Sequence, residues 1–149
     1  MSLETQLSAD IAAAMKAKET VRLGTFRMLK TALTNKSIEK GRALEAAEEL
    51  QVVASLVKQR RDSIEQFTAG NRLDLAAKEQ AEIAVLETLL PPAASADEIA
   101  AAVEEAVVET GAAGPKDMGK VMKAVMAALA GKTVDGKRVN EAVRSRLAQ

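Results

Sequence analysis

At 149 residues, with 21 basic and 21 acidic side chains, the chain is electrically balanced and long enough for one or two small domains. It has no His, Cys, Trp or Tyr and only two Phe, which excludes an imidazole base, thiolate nucleophiles, soft-metal sites, disulfides and most stacking surfaces for single-stranded nucleic acid. Ala, Leu, Val, Glu, Lys and Arg dominate, the vocabulary of helices, and no run alternates as a strand does.

In chain order, Met1-Ser2-Leu3-Glu4 shows no basic segment followed by an apolar one, and no apolar run reaches the roughly 20 residues of a membrane span. A cytoplasmic chain without a membrane partner is therefore expected. A first helix is predicted from near Leu3 to Lys18 with Ser2 as N-cap, and a second from Val21 to Lys40, capped by Thr20 and closed by Gly41. The second is apolar over more than half its circumference (Val21, Leu23, Phe26, Met28, Leu29, Leu33), so more than one neighbour must pack on it. Its Arg27, Lys30 and Lys36 point in different directions and form no single stripe.

The third helix, about Glu45 to Phe67, carries Leu50, Val53, Val57, Ile64 and Phe67 on one stripe. Arg60 projects onto that same side, where an unpaired cation is costly, so a carboxylate partner such as Glu39 or Glu82 is expected. Asn71 can cap a fourth helix that reaches Leu89 or Leu90 before Pro91-Pro92 forbid continuation. Residues 91–94 read as a linker between an N-terminal helical domain, 1–90, and a C-terminal one, 95–149.

Beyond the prolines, Ser95-Ala96-Asp97-Glu98 reads as a capping box opening a helix to Glu109. Pro115 follows Gly114 at the first position of the next helix, Gly131 lies past that helix's end, and Asp135 can cap a last helix that buries Val139, Val143 and Leu147. The fold class is thus all-α, a four-helix N-terminal unit followed by a small three-helix bundle.

The helix after Pro115 is the most informative stretch. Apolar residues at 118, 121, 122, 125, 126 and 129 repeat with helical period and read as a core stripe that includes Met118, Met122 and Met126. At about 100° per residue, Lys116, Lys120 and Lys123 gather on the opposite face, with Gly119 beside them admitting close backbone approach. Such a face is either a phosphate-facing stripe or a solvated one. Lys132, Lys137 and Arg138 sit in and after the following loop, where phosphate contacts are sterically easy. The charge pattern agrees: eight basic against two acidic residues from Lys16 to Arg42, eight against three from Ala113 to Gln149, and five acids with no base from Ala93 to Ala112.

No phosphate loop, nucleophile elbow, dinucleotide fingerprint or HExxH run is present. Neither a catalytic residue nor a metal or cofactor is expected, and catalysis by the chain alone is disfavoured.

Several segments together resemble the GatB/YqeY family, the tail domain of the GatB subunit of tRNA-dependent amidotransferases and its free-standing YqeY-like relatives. They are Arg27-Met28-Leu29-Lys30 with Asn35-Lys36 and Ile38-Glu39, Lys58 to Phe67, Ala69 to Ala76, Glu79 to Leu86, Leu90-Pro91, and Asp117 to Met122 with the Gly131-Lys132 and Asp135-Gly136 segment. One departure is Leu44-Glu45-Ala46 at the start of the third helix, where the family often has a Ser/Thr-Asp cap. The resemblance implies an all-helical, bacterial, tRNA-binding accessory that holds tRNA by phosphate contacts without chemistry of its own. Two other readings stay open: an adaptor that docks a synthetase or amidotransferase subunit, and a participant in carbon-nitrogen ligation with glutamine as amido donor.

Overall fold

A computed structural model describes residues 2–149. The chain is all-helical, and among the described residues the one β-type feature is an isolated bridge between Ala93 and Thr133. It separates into two units, the first ending at Leu90 and the second spanning Pro91–Gln149.

In the first unit, α1 (Leu3–Ala17) begins at Ser2, whose hydroxyl accepts the Thr5 N–H at 3.2 Å and so satisfies an end donor that no helix carbonyl can reach. α2 (Thr20–Lys40) begins one residue earlier than expected. Thr20 is helical and not the cap, because the left-handed turn at Lys18 (φ 57°) lets the Glu19 carbonyl accept the Leu23 N–H at 2.9 Å. Gly41 ends α2 at φ 70°, a conformation that only Gly adopts freely.

α3 (Ala46–Ala69) starts without the Ser/Thr signal. Glu48 reaches back instead, its Oε1 accepting the Glu45 N–H at 3.0 Å. The α3–α4 turn corrects the reading of Asn71, which is not a cap. It takes the left-handed position (φ 58°), tolerated because a short amide side chain can bond locally, and Arg72 precedes α4 (Leu73–Glu87). α4 stops short of the expected Leu89 or Leu90, and Leu89 and Leu90 close turns onto the Leu86 and Glu87 carbonyls.

α3 packs along α4, α2 lies on both, and α1 lies on α2. Their shared core holds Leu7, Phe26, Leu29, Leu33, Val53, Val57, Ile83 and Leu86. Two charged groups are drawn into it. Arg60, 7% exposed, donates from Nε to Glu82 at 2.9 Å and from Nη1 to the Leu56 carbonyl at 3.0 Å, with Glu79 at 3.9 Å. Of the two carboxylates expected, Glu82 is the partner, while Glu39 pairs with Lys36. Glu49, also 7% exposed, accepts the Leu3 and Glu4 N–H groups at 3.4 and 3.3 Å, placing an anion at the positive end of α1. No spacing rule announces that clasp, since its partners lie 45 and 46 residues away.

The second unit contains α5 (Ala96–Thr110), α6 (Met118–Ala128) and α7 (Gly136–Leu147). Ser95 and Glu98 form the predicted capping box, with the Glu98 N–H on Ser95 Oγ at 3.1 Å and the Ser95 N–H on Glu98 Oε1 at 3.3 Å. Pro115 does not begin α6. Pro115–Asp117 is a 3-10 turn, and the Asp117 carboxylate accepts the Ala113 N–H at 2.9 Å. Asp135 caps α7 through the Lys137 N–H at 3.0 Å. The core joins Ile99, Val103, Val107, Val121, Val125, Leu129, Val139, Val143 and Leu147.

Residues expected as a linker are bonded within this second unit. Thr133 donates its hydroxyl to the Pro91 carbonyl at 2.6 Å and its N–H to the Pro92 carbonyl at 3.0 Å, and its own carbonyl accepts the Ala94 N–H at 2.9 Å.

Acid should weaken the fold in a definite window. Arg42 first, then Lys40 and the Glu45 N–H, hold the Glu48 carboxyl far below the usual carboxylate range, and Glu98 is lowered first by Lys132. A carboxylate depressed in the folded state contributes stability that is present above its unfolded value, near pH 4.3, and is lost as pH falls toward the folded value. The expected result is flat stability above about pH 5 and a steady decline below about pH 4. In urea titrations at each pH, Glu48→Gln should be less stable than the parent at pH 7 and decline more shallowly in acid.

Candidate nucleic-acid interface

α6 is fastened to its unit by Val121, Val125 and Leu129. Because Cβ positions advance by about 100° per residue, the side facing away from that line must collect Lys120 and Lys123, while Lys116, expected on the same helix, stands just ahead of it in the Pro115–Asp117 turn. All three are exposed, as is Gly119 between them. None forms an ion pair within 4 Å among the described residues, and the nearby Asp117 carboxylate is engaged by the Ala113 N–H. A Cβ on Gly119 would meet nothing within 4 Å, so a partner can approach the helix backbone there without obstruction.

The Met stripe divides. Met118 and Met122 pack against the core, but Met126 is 43% exposed. It follows Val125 by about 100°, off the buried line and toward the lysine side, so three residues chosen by period do not share one burial.

The remaining candidates are dispersed. Lys132 is turned to the start of α5, where its ammonium pairs with Glu98 and is partly neutralised. Lys137 and Arg138 are exposed on the first turn of α7. What the structure brings together is the α6 trio.

Among the described residues, no group of three or more His, Cys, Asp or Glu is arranged to hold a metal ion, and no helix is long and apolar enough to cross a membrane.

Comparison with known proteins places the chain. The family model described as YqeY-like protein matches residues 4–147, nearly the whole length. The chain belongs to the YqeY-like family. Among its curated relatives is the protein named altered inheritance of mitochondria protein 41, mitochondrial, from the yeast Lachancea thermotolerans, 37% identical over 69% of this chain and 57% of that protein. Its namesakes in Kluyveromyces lactis, at 36% over the same shares, and Vanderwaltozyma polyspora, at 34% over 66% and 55%, are similar. The chain thus spans a little over half the length of these relatives. They also correct two expectations. The relatives are named mitochondrial proteins of yeasts, which overturns the bacterial and cytoplasmic assignments drawn from the sequence.

Proposed function

We propose that this YqeY-like protein is a tRNA-binding accessory that holds the RNA backbone through Lys120 and Lys123 on α6 and Lys116 in the turn that leads into it. The observation that carries the reading is a set of three exposed ammonium groups without an ion pair within 4 Å, two on the face of α6 opposite its buried side and one in the turn before it. Helical rise puts Lys120 and Lys123 about 4.5 Å apart along the axis, close enough for neighbouring phosphates of one strand. Lys137 and Arg138 add two exposed cations at the start of α7, and Gly119 leaves the α6 backbone open to approach.

The chemistry supports backbone recognition over base reading. No Trp, Tyr or His is available to stack on bases, and of the two Phe, Phe26 is fully buried. Binding of this type is tolerant of sequence, responds to shape and depends steeply on salt. An adaptor role draws on a different observation, the apolar side chains left in solvent, Val108 on α5 at 81% exposure and Ile38 on α2 at 72%.

A salt series on the intact protein separates the two. Filter binding of a tRNA transcript should show log affinity falling linearly with log salt concentration. Absence of affinity even at low salt would defeat direct contact and leave the adaptor.

A further inference from the structure

The first unit carries a second cationic surface that the helical projection of α2 alone does not reveal. On α2 alone Arg27 and Lys30 lie within about 60° of one another, while Lys36 lies about 120° or more from either. Tertiary packing sorts them. Lys36 turns to Glu39 at 3.2 Å, whereas Arg27 and Lys30 lean across onto α1, Arg27 Nη2 reaching Met15 Sδ at 3.7 Å and Lys30 Nζ reaching Ser8 Oγ at 3.5 Å. Met15 in turn borders a shallow, open recess with Ala12, Ala13 and Lys16. Two helices therefore bring Lys16, Arg27 and Lys30 to one strip of surface, all exposed.

The strip is not internally neutralised. None of the three forms an ion pair within 4 Å among the described residues, and the neighbouring acid Glu19 is engaged by Arg22 at 3.7 Å. Asp10 lies about 200° around α1 from Ser8, on the other side of that helix. Glu4, one turn before Ser8, bounds the strip at its far end and does not interrupt it. Ala12 and Ala13 give the floor no bulk, so an extended chain of anions can pass close to all three cations. The surroundings carry no aromatic platform for bases.

The geometry points to the α1–α2 surface, Lys16, Arg27 and Lys30, as a second site for the phosphate backbone of RNA, distinct from the α6 face. The assignment rests on the reading of the protein as an RNA binder and adds a contact in the other unit. Each unit then carries its own phosphate-binding cations, and the salt dependence of binding is the sum of both sets.

The test uses the full-length protein and a tRNA transcript, titrated across salt concentrations with three proteins: the parent, K16Q/R27Q/K30Q and K116Q/K120Q/K123Q. The α1–α2 variant should bind roughly ten-fold or more weakly at low salt, with a salt slope shallower by about 2, the loss expected for three phosphate contacts. R27K/K30R, which retains the charges, should bind as the parent does, which separates charge loss from altered packing. If K16Q/R27Q/K30Q binds tRNA with parental affinity and slope, this site is overturned, whatever the α6 variant does. If instead only the α6 variant is unaffected, the α1–α2 site stands and the α6 assignment falls. A parent that binds no tRNA at low salt overturns both. Loss of binding to anionic lipid vesicles with unchanged tRNA affinity also overturns the inference, in favour of a membrane surface suited to exposed Met15 and Val21.

Discussion

Replacing Lys116, Lys120 and Lys123 with Gln should weaken tRNA binding substantially while the protein melts at its parental temperature. The stability half of this expectation follows from the geometry of α6. The lysines are exposed, away from Val121, Val125 and Leu129, and none has an ion pair within 4 Å; Asp117 is held first by the Ala113 N–H and only then by the charges of Lys120 and Lys116, so their neutralisation removes little from the fold. The binding half follows from counterion release, since each lost phosphate contact flattens the dependence of log affinity on log salt by roughly 0.7 to 0.9. Three lost contacts should therefore lower the slope by about 2, an effect readable in filter binding between low and moderate salt. Parental affinity with a parental slope would mean that the face is only solvated and would move the assignment to Lys137 and Arg138 or to the adaptor.

The largest loss of stability is expected at Arg60. Its guanidinium is 7% exposed and divides its donors among Glu82, the Leu56 carbonyl and the Met28 sulfur, with Glu79 close by. Arg60→Ala removes the cation that allows Glu79 and Glu82 to sit together and opens a void between α3 and α4. Breaking a fully buried pair from one side costs about 3 to 5 kcal/mol, and with Glu82 and Glu79 still 20% and 24% exposed the lower end of that range is expected. For a unit of this size that corresponds to a fall in melting temperature on the order of 10 °C or more. Arg60→Met combined with Glu82→Leu should recover much of the loss, because the closer carboxylate goes with the cation and the one left, Glu79, is 24% exposed and can be hydrated. Calorimetry on the single and double variants checks this. Below its lowered melting temperature, Arg60→Ala should bind tRNA as the parent does. Weakened binding with unchanged stability would instead make Arg60 an RNA contact.

Most helix boundaries were legible because they depend on local chemistry. Ser2, Gly41, Ser95 with Glu98, and Asp135 end or begin helices as their side chains or the missing Cβ require. The errors share a cause. Thr20, Asn71 and Pro115 each have a residue type suited to the expected role, but the adjoining turn decided which residue stood at the boundary. The α6 lysine face was legible too, because period alone separates it from the core.

What the sequence determined by itself is therefore whatever repeats within about two turns of chain: the all-helical class, the caps, the buried stripe of α6 and its opposing lysines. Tertiary structure decided what depends on a partner far along the chain. It chose Glu82 over Glu39 for Arg60, set Glu49 at the N-terminus of α1, turned Lys132 toward Glu98, and gathered Lys16 with Arg27 and Lys30. The physical reason is that helical period orders side chains around one axis only. How two such faces meet depends on the packing of separate helices, and that packing is fixed by the shape and volume of the whole core.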